Sequence, residues 1–169
     1  EQEVAGRTVH DAYAKAAFND RGELVHLIED LVPVSTADVR PARIGPDAAL
    51  GAALRRLYPG LARPAEVGRR GAVVLFDPGR VFHRAPRVTP VAVPAGRAFL
   101  SAAFLVETWS RAGNQLHETL VGGDGRVLAV VSRTNEDEYA VFPEHPDKTG
   151  QQVVPGPGAG NEQSPIGWL

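Results

Sequence analysis

The stretch that decides the fold covers residues 97–133 and is RAFLSAAFLVETWSRAGNQLHETLVGGDGRVLAVVSR. Its first part places apolar residues at every second position, the period of a strand with one buried face. Its second part has two β-like runs, residues 115–121 and 126–133, separated by a glycine-rich turn at residues 122–125. The stretch therefore predicts a long strand followed by an antiparallel hairpin. The alternating apolar residues of the long strand are Ala98, Leu100, Ala102, Phe104 and Val106.

Upstream of this stretch, residues 45–60 carry the clearest helix signals in the chain. Pro46 suits the first helical position, Asp47 complements the positive end of the helix dipole, and a Pro-Gly pair at residues 59–60 ends the helix. The apolar stripe, at spacings i, i+4, i+7 and i+8, consists of Leu50, Leu54, Leu57 and Tyr58. We expect a helix over residues 46–58 that packs this stripe on a sheet.

Further strands precede the long one. Residues 10–19 and 23–32 form a predicted hairpin around a polar turn, and residues 71–77 form a buried strand. Three prolines in residues 84–96 indicate an edge strand or an extended connection, because proline cannot donate to a β-ladder. These elements predict an α+β fold, an antiparallel β-sheet wrapped over one helix. Residues 134–169 hold five prolines and five glycines without an amphipathic period, which predicts an extended C-terminal tail.

Composition limits the classes of function. The chain has 169 residues, of which 43% are hydrophobic and 22% charged, enough for one soluble core. It contains no cysteine, which excludes disulfides, thiolate metal sites and cysteine nucleophiles. The formal net charge of -2 gives no basic excess for nucleic acid, and no apolar run is long enough for a membrane span. We therefore expect neither nucleic acid nor membrane as a partner.

Motifs for catalysis are incomplete. His117 and Glu118 begin the zinc-protease pattern His-Glu-x-x-His, but Val121 occupies the second histidine position and the segment is strand-like. The glycines at 122–125 lie between two strands, so the helix dipole of a phosphate site is missing. No Gly-x-Ser-x-Gly sequence is present. We expect no catalytic residue, metal ligand or cofactor in this chain, which by itself would not be an enzyme.

Two features stand beyond the last strand. An acidic run follows it, and it is either a solvated strand exit or an exposed junction that a protease can cut. This run consists of Glu136, Asp137 and Glu138, and Asn135 precedes it. Apolar residues continue through the Pro/Gly-rich tail and need a surface to lie on. Those of interest here are Tyr139, Val141, Phe142, Pro143 and Trp168.

Four segments together resemble the propeptide of the fungalysin family of secreted zinc metalloproteases. They are residues 25–33 (VHLIEDLVP), 47–50 (DAAL), 118–128 (ETLVGGDGRVL) and 139–143 (YAVFP), and they are followed by Ser164-Pro165-x-Gly167-Trp168. The order of these segments, which extends over nearly the whole chain, makes the likeness fairly specific. One departure is Glu144-His145-Pro146, where a family member often has an aromatic residue and glycine after the proline.

The resemblance implies a prodomain built from two cystatin-like halves. Residues 1–34 would be the terminal hairpin of the first half, 35–133 the second half, and 134–169 the junction and the start of the mature protease. Such a prodomain assists folding of the protease and occupies its active-site cleft until it is removed. The cut would fall at residues 135–138, and the apolar residues of the tail would be anchors on the protease.

The resemblance also implies a partner and a location. The partner would be the catalytic domain of the chain's own metalloprotease, which holds the zinc and lies outside this chain, and the precursor would be secreted. We expect the chain to begin after an excised signal sequence. Two alternatives remain open: a stand-alone cystatin-like binding module without a protease, and a small enzyme that uses dispersed residues.

Overall fold

The computed structural model describes residues 1–34, 39–96, 99–134, 139–141 and 152–154. These contain one α-helix, α1 (Pro46–Leu57), and a short 3-10 turn, Ala112–Asn114. The strands are β1 (Glu3–Val4), β2 (Arg7–Thr8), β3 (Tyr13–Phe18), β4 (Leu24–Asp30), β5 (Val39–Arg40), β6 (Glu66–Arg70), β7 (Val73–Phe76), β8 (Arg87–Pro94), β9 (Leu100–Trp109), β10 (Leu116–Gly122), β11 (Val127–Ser132), β12 (Tyr139–Val141) and β13 (Gln152–Val154).

A seven-stranded sheet forms the centre of the fold. Six of its strands lie in the order β11-β10-β9-β8-β7-β6, and every neighbouring pair in this path is antiparallel. The seventh strand, β5, pairs in parallel with the first residues of β9, before the part of β9 that β10 covers. The meander thus places β6 and β11 at the two outer edges of the sheet. The predicted α+β fold, an antiparallel sheet with one helix, is confirmed at this level.

Helix α1 packs on one face of the sheet and closes the main core. It begins with Pro46 and has Asp47 in its first turn, as predicted. Its buried stripe combines Leu50 and Leu54 with small residues that allow a close approach to the strands, whereas Leu57 and Tyr58 are only half-buried. The strand side chains of this core, at most 5% exposed, are Val74, Phe76, Val88, Phe104, Val106 and Val121. Burial of these apolar groups is the main stabilising contribution to the domain.

The long strand and the last hairpin agree with the sequence pattern. Leu100, Ala102, Phe104 and Val106 alternate into the interior along β9, whereas the predicted strand residue Ala98 lies outside the described residues. Strands β10 and β11 pair around the glycine turn with a bulge between Leu120 and Val121.

The interpretation of residues 84–96 as an edge strand or a connection is wrong, because β8 is an interior strand. Its register with β9 runs from Arg87 to Pro94. On its other side β7 pairs with residues 87–88, and Val9 bridges Ala92 in parallel. On the side of β8 away from β9, Pro90 lies between the residues paired with β7 and the bridge to Val9. None of the described residues pairs with Pro90 on this side, so its missing N–H does not interrupt a ladder there.

The N-terminal residues divide into a packed part and a projecting part. Val9 and Ala12 are buried with Ala92 and Leu100, and the His10 amide donates to the Ala92 carbonyl at 2.9 Å. Strands β3 and β4 then pair with each other, as the sequence predicts, but with no other strand of the described chain. Almost every side chain of this hairpin is exposed.

In the predicted C-terminal tail, the structure describes only the antiparallel pair of β12 and β13, in which Tyr139 is opposite Val154. Among the described residues, no helix is long and apolar enough to cross a membrane.

Candidate interaction surface

The outer edge of β11 is the most distinctive surface of the sheet. Strand β11 pairs with β10 on one side and has no hydrogen-bonded strand on its other side among the residues that the structure describes. Leu128, Val130 and Val131 are 51%, 37% and 42% exposed. The strand contains neither proline nor lysine, two residues with which proteins protect such edges from further pairing. We call this surface, residues 127–132, the β11 edge.

The turn before the β11 edge fixes its position. The Gly123 carbonyl accepts hydrogen bonds from the amides of Arg43 and Ile44, at 2.7 and 3.2 Å. A Cβ at Gly123 would lie 2.6 Å from the Ala102 carbonyl oxygen, so only glycine allows the turn to sit this close to β9. The Arg126 amide donates to the Asp124 carboxylate at 3.0 Å, which closes the turn from within.

The far end of the β11 edge is held by polar contacts. The Arg133 amide donates to the Leu116 carbonyl at 2.7 Å, and its guanidinium contacts the Glu118 carboxylate at 2.8 Å. The Leu116 amide donates to the Thr134 hydroxyl oxygen at 2.6 Å. Because both ends are fixed, the strand presents its free backbone groups in an extended conformation before any partner arrives. This lowers the ordering cost of strand addition.

A cleft separates the projecting hairpin from the sheet face opposite α1, which we call the open face. Its volume is about 460 Å³. Tyr13 and Lys15 of β3 line one side, whereas Val91 and Leu105 line the open face. The Lys15 ammonium lies 4.8 Å from the centre of the Tyr13 ring, a cation–π contact on the hairpin wall. The cleft thus has an apolar floor and a polar rim.

One carboxylate on the open face is held by two arginines. Glu107 accepts hydrogen bonds from Arg87 through both of its oxygens at 2.6 Å, and from Arg84 at 2.6 Å. The Arg84 guanidinium also lies 5.2 Å from the Trp109 ring centre. These charge-assisted hydrogen bonds join β8 to β9 on the open face and compensate the charge of the Glu107 carboxylate.

A small polar group lies under the C-terminal end of α1. The Tyr58 hydroxyl and the Thr108 hydroxyl are 3.1 Å apart. Burial raises the pKa of the Tyr58 hydroxyl above its ordinary value, and the hydrogen bond with Thr108 opposes this shift. Nδ1 of His117 and Oγ1 of Thr119 are buried without a hydrogen-bond partner among the described residues.

The structure places the incomplete zinc-protease motif on a strand. His117 and Glu118 lie on β10, so their side chains point to opposite faces of the sheet, and Glu118 is paired with Arg133. Within the described ranges, no group of three histidine, cysteine, aspartate or glutamate side chains could hold a metal ion.

Most of the site residues predicted from the sequence lie outside the described residues. This applies to the predicted cleavage junction, Asn135, Glu136, Asp137 and Glu138, and to the predicted anchors Phe142, Pro143 and Trp168. Tyr139 and Val141 belong to β12, whose backbone pairs with β13. The β11 edge ends at Ser132, three residues before the start of the predicted junction.

The sequence analysis missed the surfaces that the structure makes prominent. The β11 edge had a signal, since it is the last strand of a predicted meander and such a strand has only one neighbour. The exposed side chains of β4 had a weaker signal, because neither face of that strand is purely apolar. The Glu107 cluster joins residues 20 and 23 positions apart and has no local signal.

The chain was also compared with known proteins, and it matches no family model, no curated protein and no solved structure.

Proposed function

We propose that this chain is the prodomain of a secreted zinc metalloprotease. It would keep the zymogen inactive by occupying the active-site cleft, assist folding of the protease, and be removed by proteolysis at residues 135–138. The observation that carries the proposal is the β11 edge: an extended, apolar strand that has no partner on its outer side among the described residues and ends three residues before this junction.

An extended strand is the form in which a protease cleft binds its ligands. The free N–H and C=O groups of β11 can pair with a strand at the wall of the cleft, while alternate side chains enter neighbouring pockets. On its other side β11 is already bound to β10, and its ends are fixed at Gly123 and Arg133. The inhibitory segment would thus resist the distortion that a bound substrate undergoes before cleavage.

In the proposed mechanism, cleavage of the short connection between β11 and the protease ends the inhibition. While the chain is intact, the edge and the cleft belong to one molecule, so the effective concentration of the inhibitor is high. A cut at the junction turns the complex into two molecules, and dilution then favours dissociation. The zinc would be held by the catalytic domain, which would also be the surface for the predicted tail anchors Tyr139, Val141, Phe142, Pro143 and Trp168.

The cystatin-like architecture is part of the proposal. It is supported by the antiparallel sheet that packs on the single helix α1. The projecting hairpin β3–β4 would then be the end of a first cystatin-like half, with residues 35–133 as the second. The same hairpin, with its exposed apolar side chains, equally suits a stand-alone cystatin-like binding module without an associated protease.

Inhibition of the mature enzyme tests the proposal. The reading frame beyond Leu169 should encode a His-Glu-x-x-His helix, and the purified 169-residue chain should slow peptide hydrolysis by that catalytic domain at micromolar concentration. Leu128→Lys should weaken the inhibition, because it places a charge on the β11 edge. The matched control Val67→Lys changes an equally exposed valine at the opposite edge of the sheet and should inhibit like the unaltered chain.

Two results would count against the prodomain. One is a reading frame that stops soon after Leu169, which would favour the stand-alone binding module. The other is an unchanged rate of hydrolysis at micromolar concentration of the unaltered chain.

A further inference from the structure

In the described part of the chain, two strand edges combine exposed apolar side chains with unpaired backbone. One is the β11 edge. The other is β4, which pairs only with β3 among the described strands. The hairpin has six large apolar side chains that are 42–62% exposed: Phe18, Leu24, Val25, Leu27, Ile28 and Leu31. An isolated two-stranded hairpin is marginally stable in water, and a third strand is what stabilises it. Pairing of a further strand with the β4 edge would therefore stabilise this hairpin.

The charges at the ends of these two strands are complementary. Glu23 and Asp30 flank the apolar part of β4, seven residues apart. Arg126 and Arg133 flank the apolar part of β11, also seven residues apart. All four residues are exposed, and Arg133 also contacts the Glu118 carboxylate of its own molecule at 2.8 Å. An antiparallel alignment of β4 with β11 therefore places Arg126 opposite Asp30 and Arg133 opposite Glu23 in a single register.

The same charges disfavour the alternative pairings. Two β4 strands aligned antiparallel place Glu23 near Asp30 of the other strand, so acid faces acid. Two β11 strands place Arg126 opposite Arg133. Like charges directly opposite each other destabilise a strand pair, whereas opposite charges stabilise it. Electrostatics thus select β4 with β11 over either strand with itself.

We propose that two copies of this chain associate by antiparallel pairing of β4 in one copy with the β11 edge of the other. Within one molecule β4 and β11 belong to different sheets and do not pair with each other, so their complementary outer edges are available to a second copy. Val25 of β4 and Leu128 of β11 are bulged residues, one in each strand, so the spacing between the end charges stays equal. In the charge-matched register Leu27 lies opposite Val130 and Ile28 opposite Ala129, which buries apolar groups that each copy leaves in water. A two-fold symmetric dimer makes this contact twice and closes, so no β4 or β11 edge remains free.

This association goes beyond the proposed function and needs no protease. If both proposals hold, a second copy and the catalytic cleft compete for the same β11 edge. Self-association is measured on the isolated chain, and so its outcome is independent of the inhibition experiment.

Sedimentation of the 169-residue chain tests the contact. We expect a concentration-dependent equilibrium between monomer and dimer in the micromolar range. Reversing one charge, by Arg126→Asp or Asp30→Arg, should raise the dissociation constant roughly fivefold per contact, or about 25-fold for a dimer with two contacts. The double variant Arg126→Asp/Asp30→Arg exchanges the two charges and should restore the dimer. Arg70→Asp, on the exposed outer strand β6, is the matched control and should change nothing.

These positions make the test specific. Neither Arg126 nor Asp30 makes an ion pair in the described structure, so the reversals leave the fold of the monomer intact, and circular dichroism checks this. A chain that stays monomeric throughout the micromolar range would overturn the proposal. Association that is insensitive to both reversals would also overturn it. Rescue of Arg133→Asp by Asp30→Arg would replace the antiparallel alignment by a parallel one.

A crosslink gives a second, independent measurement, because the chain contains no cysteine. Directly opposite residues of an antiparallel pair have Cβ atoms about 4.5–5.5 Å apart, near the range of a disulfide. A mixture of the variants Leu27→Cys and Val130→Cys should therefore form a mixed disulfide-linked dimer on oxidation. Each variant alone should form far less of its own disulfide dimer. Equal amounts of all three products would contradict the proposed register.

Discussion

The two outer strands of the sheet end it in opposite ways. Strand β6 carries Glu66, Arg69 and Arg70 in five residues, and Glu66 is bound to Arg69 at 2.8 Å. Strand β11 carries only small and apolar residues apart from its terminal serine. Charged side chains are a usual protection of an edge against further strands. The β6 edge thus has the charged side chains expected of an edge that faces water, whereas the β11 edge lacks them.

The strands next to the two edges are alike, which limits the difference to the outer strands themselves. Phe76 of β7 and Val121 of β10 are both fully buried in the core under α1. Of β11, Val127 packs against this core, whereas Leu128, Val130 and Val131 stay exposed. We infer that the composition of β11 serves an interaction, and the following predictions separate that role from stability.

The largest effect on the free energy of unfolding is expected for substitutions in the inner strands β7 and β10. Phe76→Ala should lower the free energy of unfolding by about 3–5 kcal/mol, since it leaves a cavity of aromatic size. Val121→Ala should cost about 2 kcal/mol. Urea denaturation gives these values.

The outer strands supply the controls for that experiment. Val131→Ala and Val67→Ala remove exposed side chains and should change the free energy of unfolding by no more than about 0.5 kcal/mol. A large loss for Val131→Ala in the monomer would mean that β11 is apolar for reasons of stability.

The turns of the two edge hairpins should also differ. Gly123→Ala should cost about 1–3 kcal/mol, because the new Cβ would lie 2.6 Å from the Ala102 carbonyl oxygen and 2.9 Å from Ala42 Cα. Gly71, between β6 and β7, faces open space but has a φ of +57°. Gly71→Ala should therefore cost only the strain of a left-handed conformation, about 1 kcal/mol.

Thermal or urea unfolding of the two glycine variants measures this order. An equal loss in both would show that the turn before β11 is no more closely packed than the turn after β6. In that case the β11 edge would not be rigidly positioned.

Much of this comparison follows from local sequence patterns. The helix, the long strand β9 and the hairpin β10–β11 were predicted because their periodicity and turn residues are contiguous. Strand β6 was missed since its sequence, EVGRR, has one large apolar residue and no alternation. Strand β8 was taken for an edge or a connection because its prolines suggest a free side, and its neighbour Val9 is more than 80 residues away in the chain.

The candidate surface was less predictable than the fold. Exposure depends on what lies next to a strand in space, and the pattern of β4 does not show that its hairpin lacks a third strand. The complementary charges around β4 and β11 are visible in the sequence. They indicate a contact only once the structure shows that neither edge pairs with another described strand. The predicted junction at residues 135–138 lies outside the described residues and stays a prediction.

A charged residue on the β11 edge, like those of β6, should affect stability little and self-association more. Leu128→Lys should change the free energy of unfolding by at most about 0.5 kcal/mol, because Leu128 is half exposed. It should nevertheless weaken self-association in sedimentation experiments, since position 128 is next to Ala129, which lies opposite Ile28 of the other copy in the proposed contact. Val67→Lys should leave both quantities unchanged. A stable Leu128→Lys variant with unaltered association would remove the β11 edge from the contact.

The smallest effect concerns the ion pair that marks the β6 edge. The hydrogen bond from Arg69 holds the pKa of the Glu66 carboxyl below its ordinary value, and the positive charge of Arg69 adds to this shift. A carboxyl with a lowered pKa in the folded state stabilises the fold at pH values above its unfolded pKa. This contribution disappears as the pH falls through the lowered, folded-state pKa. Because both side chains are exposed to solvent, salt screens the pair and its effect on stability is slight.

A carboxyl-detected NMR titration of Glu66 measures this shift directly. Arg69→Gln should raise the Glu66 pKa towards its ordinary value, whereas Arg70→Gln, which removes a charge but no hydrogen bond to Glu66, should raise it less. If Arg69→Gln leaves the Glu66 pKa unchanged, the pair does not form in solution. The charges of β6 would then protect its edge through their hydration and not through an ion pair. The two edges would differ in the number of charged residues, whatever the positions of these residues along the strand.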